Sequence, residues 1–299
     1  MLFSPERRQH IRKERGVNME ERILKAEQLE AYIRHLRQEE RAQGTIEKYL
    51  RDLRAFFSWM GGRPVDRGAA ADWKALLLER GDSPSTVNVK LSALNGFFKF
   101  MGWEENRVKF LRIQRRAFRD QGRELTRPEY VRLLAAARAE GRDRLELLME
   151  AICSTGIRVS EVRFLTVEAV RRSRAEVRLK GKIRTILIPG KLASKLLKYA
   201  RKKKIASGEI FLTRSGRSLS RRQIWREMKG VCVRAGVEAG KVFPHNLRHL
   251  FAASFYQASR DIVKLADVLG HSSIETTRIY LMTSGAEHAR YLDRLGLVT

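Results

Sequence analysis

Four segments of this 299-residue chain gather polar residues whose types and spacing could do chemistry. In STGIRVSEVRFL, Arg158 sits beside a strip of apolar residues, Ile157, Val159, Val162 and Leu165. An arginine at the head of a buried helix needs an anionic partner. Either Glu161 supplies it, which makes Arg158 structural, or an anion arrives from outside. The second segment is Lys180-Gly181-Lys182, at the tip of an expected hairpin. A lysine on a flexible turn can swing a proton donor into a neighbouring site, whereas one on a strand face cannot; an ordinary solvated turn lysine is the other reading. In FPHNLRHLFA, His245 and Arg248 are three apart and so share one helix face. Pro244 suits a helix start, where free N–H groups and the dipole favour an anion. His249, one position on, is the weaker candidate, its other reading being a packed core histidine. In LGHSSIETTRIYLMTSG, His271 follows a glycine turn and Tyr280 closes a short helix.

Together these residues suit one task. Two arginines, two histidines, a mobile lysine and a tyrosine, with no carboxylate cluster for Mg²⁺, fit attack of a tyrosine on a phosphodiester without metal or other cofactor. Guanidinium forks bind phosphate oxygens two at a time. Phosphoryl transfer is mostly positioning and electrostatics, so cations at the reacting centre can stand where other enzymes use metal ions. A histidine can take the tyrosine proton, and a lysine can protonate the leaving sugar oxygen.

The elements that must hold these groups read as mainly α with a small antiparallel β-sheet. Helical spacing runs through Leu29, Tyr32, Ile33 and Leu36, and again from Ile46 to Met60, where Gly61-Gly62-Arg63-Pro64 ends it. A third helix carries Trp73, Leu76 and Leu77. A fourth opens at Ser83-Pro84, a capping residue followed by a proline at a position that needs no N–H. Its aromatic stripe, Phe97 and Phe98 included, reads as core. Lys48, Arg51, Asn88 and Lys90, between the apolar positions, are candidates to grip phosphates. From Gly102 to Glu124 periodicity weakens and arginines multiply, Arg115 and Arg116 among them, as in a linker lying along a polyanion. Thr126-Arg-Pro-Glu129 has capping-box spacing and restarts a helix read as continuing to Thr155. EVRLK and IRTILIP alternate with period two around Gly181, a hairpin. Helices are expected near 191–204, 220–235, 245–258, 261–269 and 286–295. The expected division is a basic tail over 1–22, a helical DNA-binding domain over 23–106, an Arg-rich linker over 107–124 and a catalytic domain over 125–299.

Charge points the same way. The chain carries 61 Lys and Arg against 34 Asp and Glu, a net +27. Such a chain repels itself unless a polyanion screens it, and nucleic acid is the usual one. Residues 171–229 hold 20 Lys or Arg and three acids, and the runs fall in separate elements, which suggests one electropositive face; Arg221 and Arg222 are candidate contacts there. No apolar run approaches the ~20 residues of a membrane span, and the basic N-terminus lacks the apolar core of a secretory signal. Two cysteines, Cys153 and Cys232, in apolar surroundings exclude a disulfide framework and a Cys-based zinc site, and a reducing, cytoplasmic compartment is expected.

Arg158 in TGIRVSEV, Lys182 in the hairpin, His245-x-x-Arg248, and LGH at His271 followed nine residues on by Tyr280 resemble the tyrosine recombinases, the Xer and phage-integrase family. The match covers roughly Glu124 to Gly285; the N-terminal helices look like that family's core-binding domain by pattern alone. The resemblance implies a two-domain C-shaped clamp on double-stranded DNA and a site-specific recombinase. Tyr280 would be the nucleophile, forming a 3′-phosphotyrosine and releasing a 5′-hydroxyl. Arg158 and Arg248 would hold the scissile phosphate, and His271 would donate a hydrogen bond to it. Lys182 would be the general acid and His245 would assist proton movement at the tyrosine. Ile183 follows Lys182 where family members often have glycine, so Lys180 is the reserve candidate. The resemblance further implies synapsis by a homotetramer, with Ala286 to Gly296 as a terminal helix passed to a neighbour and Leu292, Leu295 and Leu297 its buried residues. An accessory directionality factor or a partner recombinase is compatible with it. The alternatives are a type IB topoisomerase-like activity, which shares the chemistry, and a DNA-binding regulator without catalysis.

Overall fold

In the computed structural model the described residues are 22–113, 121–179, 182–280, 290 and 293–295; for Gln121, Leu179 and Lys182 this means the backbone only. The chain divides into two compact units, Met1–Arg115 and Arg116–Thr299.

The first unit is helical. α1 (Ala26–Gln38), α2 (Gln43–Met60), α3 (Ala69–Glu79) and α4 (Pro84–Phe100) bury one face each. Ser83 caps α4 by accepting from the Thr86 N–H at 3.3 Å, with Pro84 opening the helix. The aromatic stripe is core: Phe56, Phe97 and Phe98 are fully buried, and Phe56 meets Trp73 edge-on at 5.1 Å. Burial of such side chains contributes ~1.5–3 kcal/mol apiece.

After α4 the chain turns back along it. Asn88 and Asn95, seven residues apart on one helix face, each bind a backbone segment with both ends of the amide. Asn88 donates to the Leu111 carbonyl at 2.9 Å and accepts from the Leu111 N–H at 2.8 Å. Asn95 does the same with Val108, at 2.9 and 3.0 Å. Residues 107–113, expected as linker, are therefore strapped to the first unit. Arg115 and Arg116 lie outside the described residues.

The second unit opens with α5 (Arg127–Ala139), whose capping box forms as its spacing predicts: the Thr126 N–H donates to Glu129 Oε2 at 2.8 Å and the Glu129 N–H to Thr126 Oγ1 at 3.3 Å. The continuous helix expected to Thr155 is broken. α5 stops at Ala139, Gly141 takes φ +65°, and α6 restarts over Asp143–Thr155. Glycine in the left-handed region is the usual exit from a helix, a signal that the unbroken hydrophobic pattern masked. Arg158 likewise leads not an α-helix but a 3₁₀ segment, Val159–Phe164, followed by α7 (Val167–Arg171).

β1 (Arg174–Leu179) and β2 (Lys182–Leu187) form the expected antiparallel hairpin, with Leu179 opposite Lys182 and Val177 opposite Arg184. Ala175, Val177 and Ile186 face inward, with Ile188 continuing their side past the strand end, while Ile183 and Leu187 are 69% and 72% exposed. α8 (Gly190–Lys202) packs on α6 and α7. The helix expected over 220–235 is interrupted at Gly230-Val231, giving α9 (Arg221–Lys229) and α10 (Cys232–Ala235). α11 (Pro244–Ser259), α12 (Ile262–Leu269) and α13 (Ile274–Arg278) complete the described unit. Most of the terminal helix expected over 286–295, including Leu292, lies outside the described residues, as does Leu297; Leu295 is 58% exposed. Among the described residues no helix is long and apolar enough to cross a membrane.

One glycine joins the core to the site. Gly156 ends α6 at φ +63°, and a Cβ there would lie 2.5 Å from Phe251 Cδ1 and 2.6 Å from Cε1. Gly156→Ala is expected to destabilise the chain by about 2–4 kcal/mol, from backbone strain and overpacking together. Urea titration of both chains measures it; an unchanged midpoint would mean that Phe251 moves aside freely.

Candidate active site

The second unit brings Arg158, His245, Arg248, His271 and Tyr280 to one cleft of about 590 Å³. The five come from four places: the start of the 3₁₀ segment, the first two turns of α11, the turn after α12, and the residues after α13. What unites them is a set of backbone carbonyls left open at helix ends. Arg248 is 2% exposed; its Nη1 donates to the Gly156 carbonyl at the end of α6 and its Nη2 to the Leu269 carbonyl at the end of α12, at 2.8 Å. The same Nη2 lies 2.9 Å from His271 Nε2. One buried guanidinium thus fastens three elements together. The Tyr280 phenol is a further hydrogen-bonding and charge partner that raises the Arg248 pKa, against burial and the Arg158 charge, which lower it more.

Tyr280 is 4% exposed. Its ring stacks on His271, centroids 6.0 Å apart and 14° between planes, and meets His249 edge-on at 4.6 Å. His249 in turn meets His245 edge-on at 4.6 Å. It is the packed ring between the cleft-edge histidine and the tyrosine. Tyr256 packs on the Ala252, Leu265 and Leu269 cluster that also buries Tyr280.

Arg158 has the carboxylate partner that its burial demands. Its Nη1 donates to Glu161 Oε1 at 2.9 Å and its backbone N–H to Oε2 at 2.9 Å, and the side chain still reaches the cleft with 39% exposure. The two readings of Arg158 are compatible, since Glu161 takes Nη1 and the Gly270 carbonyl takes Nη2 at 3.4 Å while the side chain still lines the cleft.

A third arginine completes the arrangement. Arg184, on the inward face of β2, pairs through Nη2 with Glu161 Oε2 at 3.0 Å and donates through Nη1 to the Leu269 carbonyl. Burial first, then the charges of Arg248 and Arg158, lower its pKa to about 10, against the pull of Glu161. Gly270, at φ +63°, leaves it room, for a Cβ there would lie 2.5 Å from Arg184 Cδ. Arg158 and Arg184 therefore share the buried Glu161 carboxylate, with the charge of Arg248 nearby, and the excess positive charge faces the cleft and its continuation beside β2. Arg184 escaped the sequence reading although parity exposed it: two residues before Ile186 on a strand, it had to face the core. Thr277 also escaped. Fully buried, it places Oγ1 2.9 Å from His271 Nδ1.

Burial and then neighbouring cations disfavour the charged form of both cleft histidines. Burial, then Arg248, Arg158, Arg184 and His245, hold His271 down at about 4. His245, at the cleft edge, is also lowered, by desolvation and then by Arg248 and Arg158. Both folded-state pKa values lie below the ordinary 6.5, so the unfolded chain binds more protons below that value. The DNA-free protein is expected to lose thermal stability as pH falls from 6.5 towards 4, read as a falling melting temperature, with His271→Gln flattening the slope. A Tm that rises on acidification would contradict the arrangement.

The hairpin lysines are less complete. Lys182 is the first residue of β2, directly opposite Leu179, and its side chain is not described; Lys180 and Gly181 join the strands outside the described residues. Arg221 lines the cleft from α9, whereas Arg222 is exposed beside it. In the first unit Lys48, Arg51 and Lys90 line one 280 Å³ pocket, where Lys90 pairs with Asp82 at 2.6 Å. Asn88, expected to grip phosphate, is instead engaged by the Leu111 backbone. Among the described residues no group of three or more His, Cys, Asp or Glu could hold a metal ion.

Known proteins resemble this chain over most of its length. The model described as the phage integrase family matches residues 123–286, and that of the phage integrase N-terminal SAM-like domain matches residues 29–105. Tyrosine recombinase XerA of Pyrococcus furiosus is 30% identical over 290 residues, covering 94% of this chain and 98% of the relative. Tyrosine recombinase XerC of Roseiflexus castenholzii is 32% identical over 278 residues, covering 85% and 88%. Among solved structures, XerH recombinase bound to its difH substrate superposes with a TM-score of 0.66 at 22% identity, covering 90% of this chain and 84% of that one. A lambda integrase dimer on a core site gives 0.69 at 18%, covering 87% and 95%. Neither the topoisomerase-like nor the regulator alternative is favoured by these relatives. The chain belongs to the phage integrase family: it is a site-specific tyrosine recombinase, an enzyme that cuts and rejoins DNA.

Proposed function

We propose that this recombinase cuts double-stranded DNA through Tyr280, without metal or nucleotide. The observation that carries the assignment is the seating of the Tyr280 phenol against Arg248 and His271 in the cleft that Arg158 and His245 also line. In this reading the phenol oxygen attacks the scissile phosphorus and the bond from phosphorus to the 5′ oxygen breaks. The products are a 3′-phosphotyrosine and a free 5′-hydroxyl. Arg158 and Arg248 hold the non-bridging oxygens, where charge is spread in the transition state. His271 donates to one of them. His245 takes the phenol proton, a role suited to an imidazole whose pKa is lowered by burial and then by Arg248 and Arg158. The leaving oxygen takes its proton from a hairpin lysine, Lys182; its place on a strand supports Lys180 as the alternative. Attack by the 5′-hydroxyl of a partner strand reverses the step. The phosphotyrosine conserves the energy of the broken bond, so no nucleotide is consumed.

The remaining features belong to the same reading. Lys48, Arg51, Lys90, Arg221 and Arg222, with Arg115 and Arg116, contact the DNA backbone, which positions the duplex without reading its sequence. Four copies act on two synapsed sites in the cytoplasm, with an accessory or partner protein compatible with the scheme. The XerH and lambda integrase structures, both solved on DNA, support the substrate class.

The test is covalent trapping. The chain is incubated with fragmented duplex DNA carrying nicks, the adducts are recovered under denaturing conditions, and both the DNA and the modified peptide are sequenced. Enrichment of one DNA site and a phosphate on Tyr280 are expected. Modification of Tyr256 or Tyr291 would move the nucleophile, and absence of any adduct would remove it.

A further inference from the structure

The contacts of His271 fix which ring nitrogen carries its proton. Arg248 Nη2 lies 2.9 Å from Nε2, and Thr277 Oγ1 lies 2.9 Å from Nδ1. A guanidinium can only donate. Nε2 therefore accepts, and the one proton of the neutral ring is on Nδ1, which donates it to Thr277. The role proposed above for His271 needs the opposite tautomer, with Nε2–H aimed at a phosphate oxygen.

The residue at Nδ1 decides whether that exchange is possible. A carbonyl or carboxylate there can only accept and would hold the proton on Nδ1. A hydroxyl accepts in one rotamer and donates in another. Thr277 is fully buried, while His271 itself stays partly exposed and lines the cleft.

We propose that Thr277 is a positioning residue that lets His271 exchange tautomers when DNA enters the cleft. This rests on the assignment of His271 to the scissile phosphate. As phosphate oxygens take over the Arg248 fork, the Thr277 hydroxyl turns about its Cβ–Oγ bond from accepting to donating. The ring releases its Nδ1 proton to solvent and takes one from solvent on Nε2, so it carries one proton before and after. Simple protonation is a poor substitute at neutral pH. Arg248 and His245 face the ring from α11, Arg158 from the 3₁₀ segment and Arg184 from β2; Tyr280 stacks on it, and Glu161 is the one carboxylate in the cluster, already held by two arginines.

The experiment follows adduct formation in a single turnover on a nicked duplex carrying the trapped site, from pH 5 to 8.5. It compares the parent chain with Thr277→Ser, Thr277→Val and His271→Ala. Thr277→Ser is expected within about threefold of the parent. Thr277→Val is expected to be about 10–100-fold slower near pH 7.5, by analogy with loss of the partner that orients a metal-binding histidine. It should recover towards acid pH, where a doubly protonated ring donates from Nε2 without any exchange. A Thr277→Val chain that matches the parent, or whose deficit is constant across pH, overturns the proposal. So does a Thr277→Ser chain as slow as Thr277→Val. Should Thr277→Val fail to fold, imidazole ¹⁵N shifts of the parent decide: Nδ1–H free and Nε2–H with DNA are expected, and one tautomer in both states overturns it. A His271→Ala chain that cleaves at the parent rate removes His271 from the phosphate, and so rejects the underlying assignment rather than this step alone.

Discussion

Tyr280→Phe is expected to bind the trapped site within a fewfold of the parent affinity and to form no covalent adduct, a fall in cleavage of at least ~10⁴-fold, as when a nucleophile is deleted from a preformed site. The reason binding survives is that the tyrosine ring does the packing and the oxygen does the chemistry. The ring stacks on His271, meets His249 edge-on and is 4% exposed; phenylalanine keeps that surface. Affinity for DNA comes mainly from phosphate contacts spread over many cations, and the change touches none of them. Denaturing gels of the nicked-duplex reaction measure the adduct, and a mobility-shift titration measures binding. An adduct that persists in Tyr280→Phe would transfer the nucleophile to another tyrosine.

Arg248→Lys is expected to reduce cleavage by about 10³-fold or more, although charge is conserved. Arg248 uses the two ends of one planar fork at once: Nη1 on the Gly156 carbonyl, Nη2 on the Leu269 carbonyl and against His271 Nε2. An ammonium is a point charge and cannot span those positions. Carbonyls left unsatisfied in a buried place cost about 1–3 kcal/mol, so the melting temperature should also fall. Two readouts separate the effects. The cleavage rate well below the melting transition reports the lost phosphate contact, and the melting temperature reports the lost tie between α6 and α12. A lysine variant that cleaves at the parent rate would show that Arg248 is a structural cross-brace and nothing more.

Much of this architecture is written in short stretches of chain, because the interactions that decide it are local. Ser83-Pro84 and Thr126-x-x-Glu129 cap their helices through contacts three residues apart. Period-two alternation around Gly181 produces the hairpin. Where local signals compete, the reading slipped: apolar spacing ran through Gly141 and Gly230, while the backbone broke there. The identities of the candidate site residues were legible for the same kind of reason. A phosphodiester needs cations and proton carriers, and Arg158, His245, Arg248, His271 and Tyr280 are of those types.

Their convergence was not legible, because it is made by groups distant in sequence. The carbonyls that hold Arg248 lie 92 and 21 residues away. Glu161, suspected as the partner of Arg158, binds Arg184 as well, and Asn88, a candidate for phosphate, straps down Leu111. Residue type and spacing determined which chemistry this chain can do and which side chains are equipped for it. Packing decided which donors meet which acceptors, including the Thr277 hydroxyl on His271, because the direction of a buried hydrogen bond depends on what the rest of the molecule places at its other end.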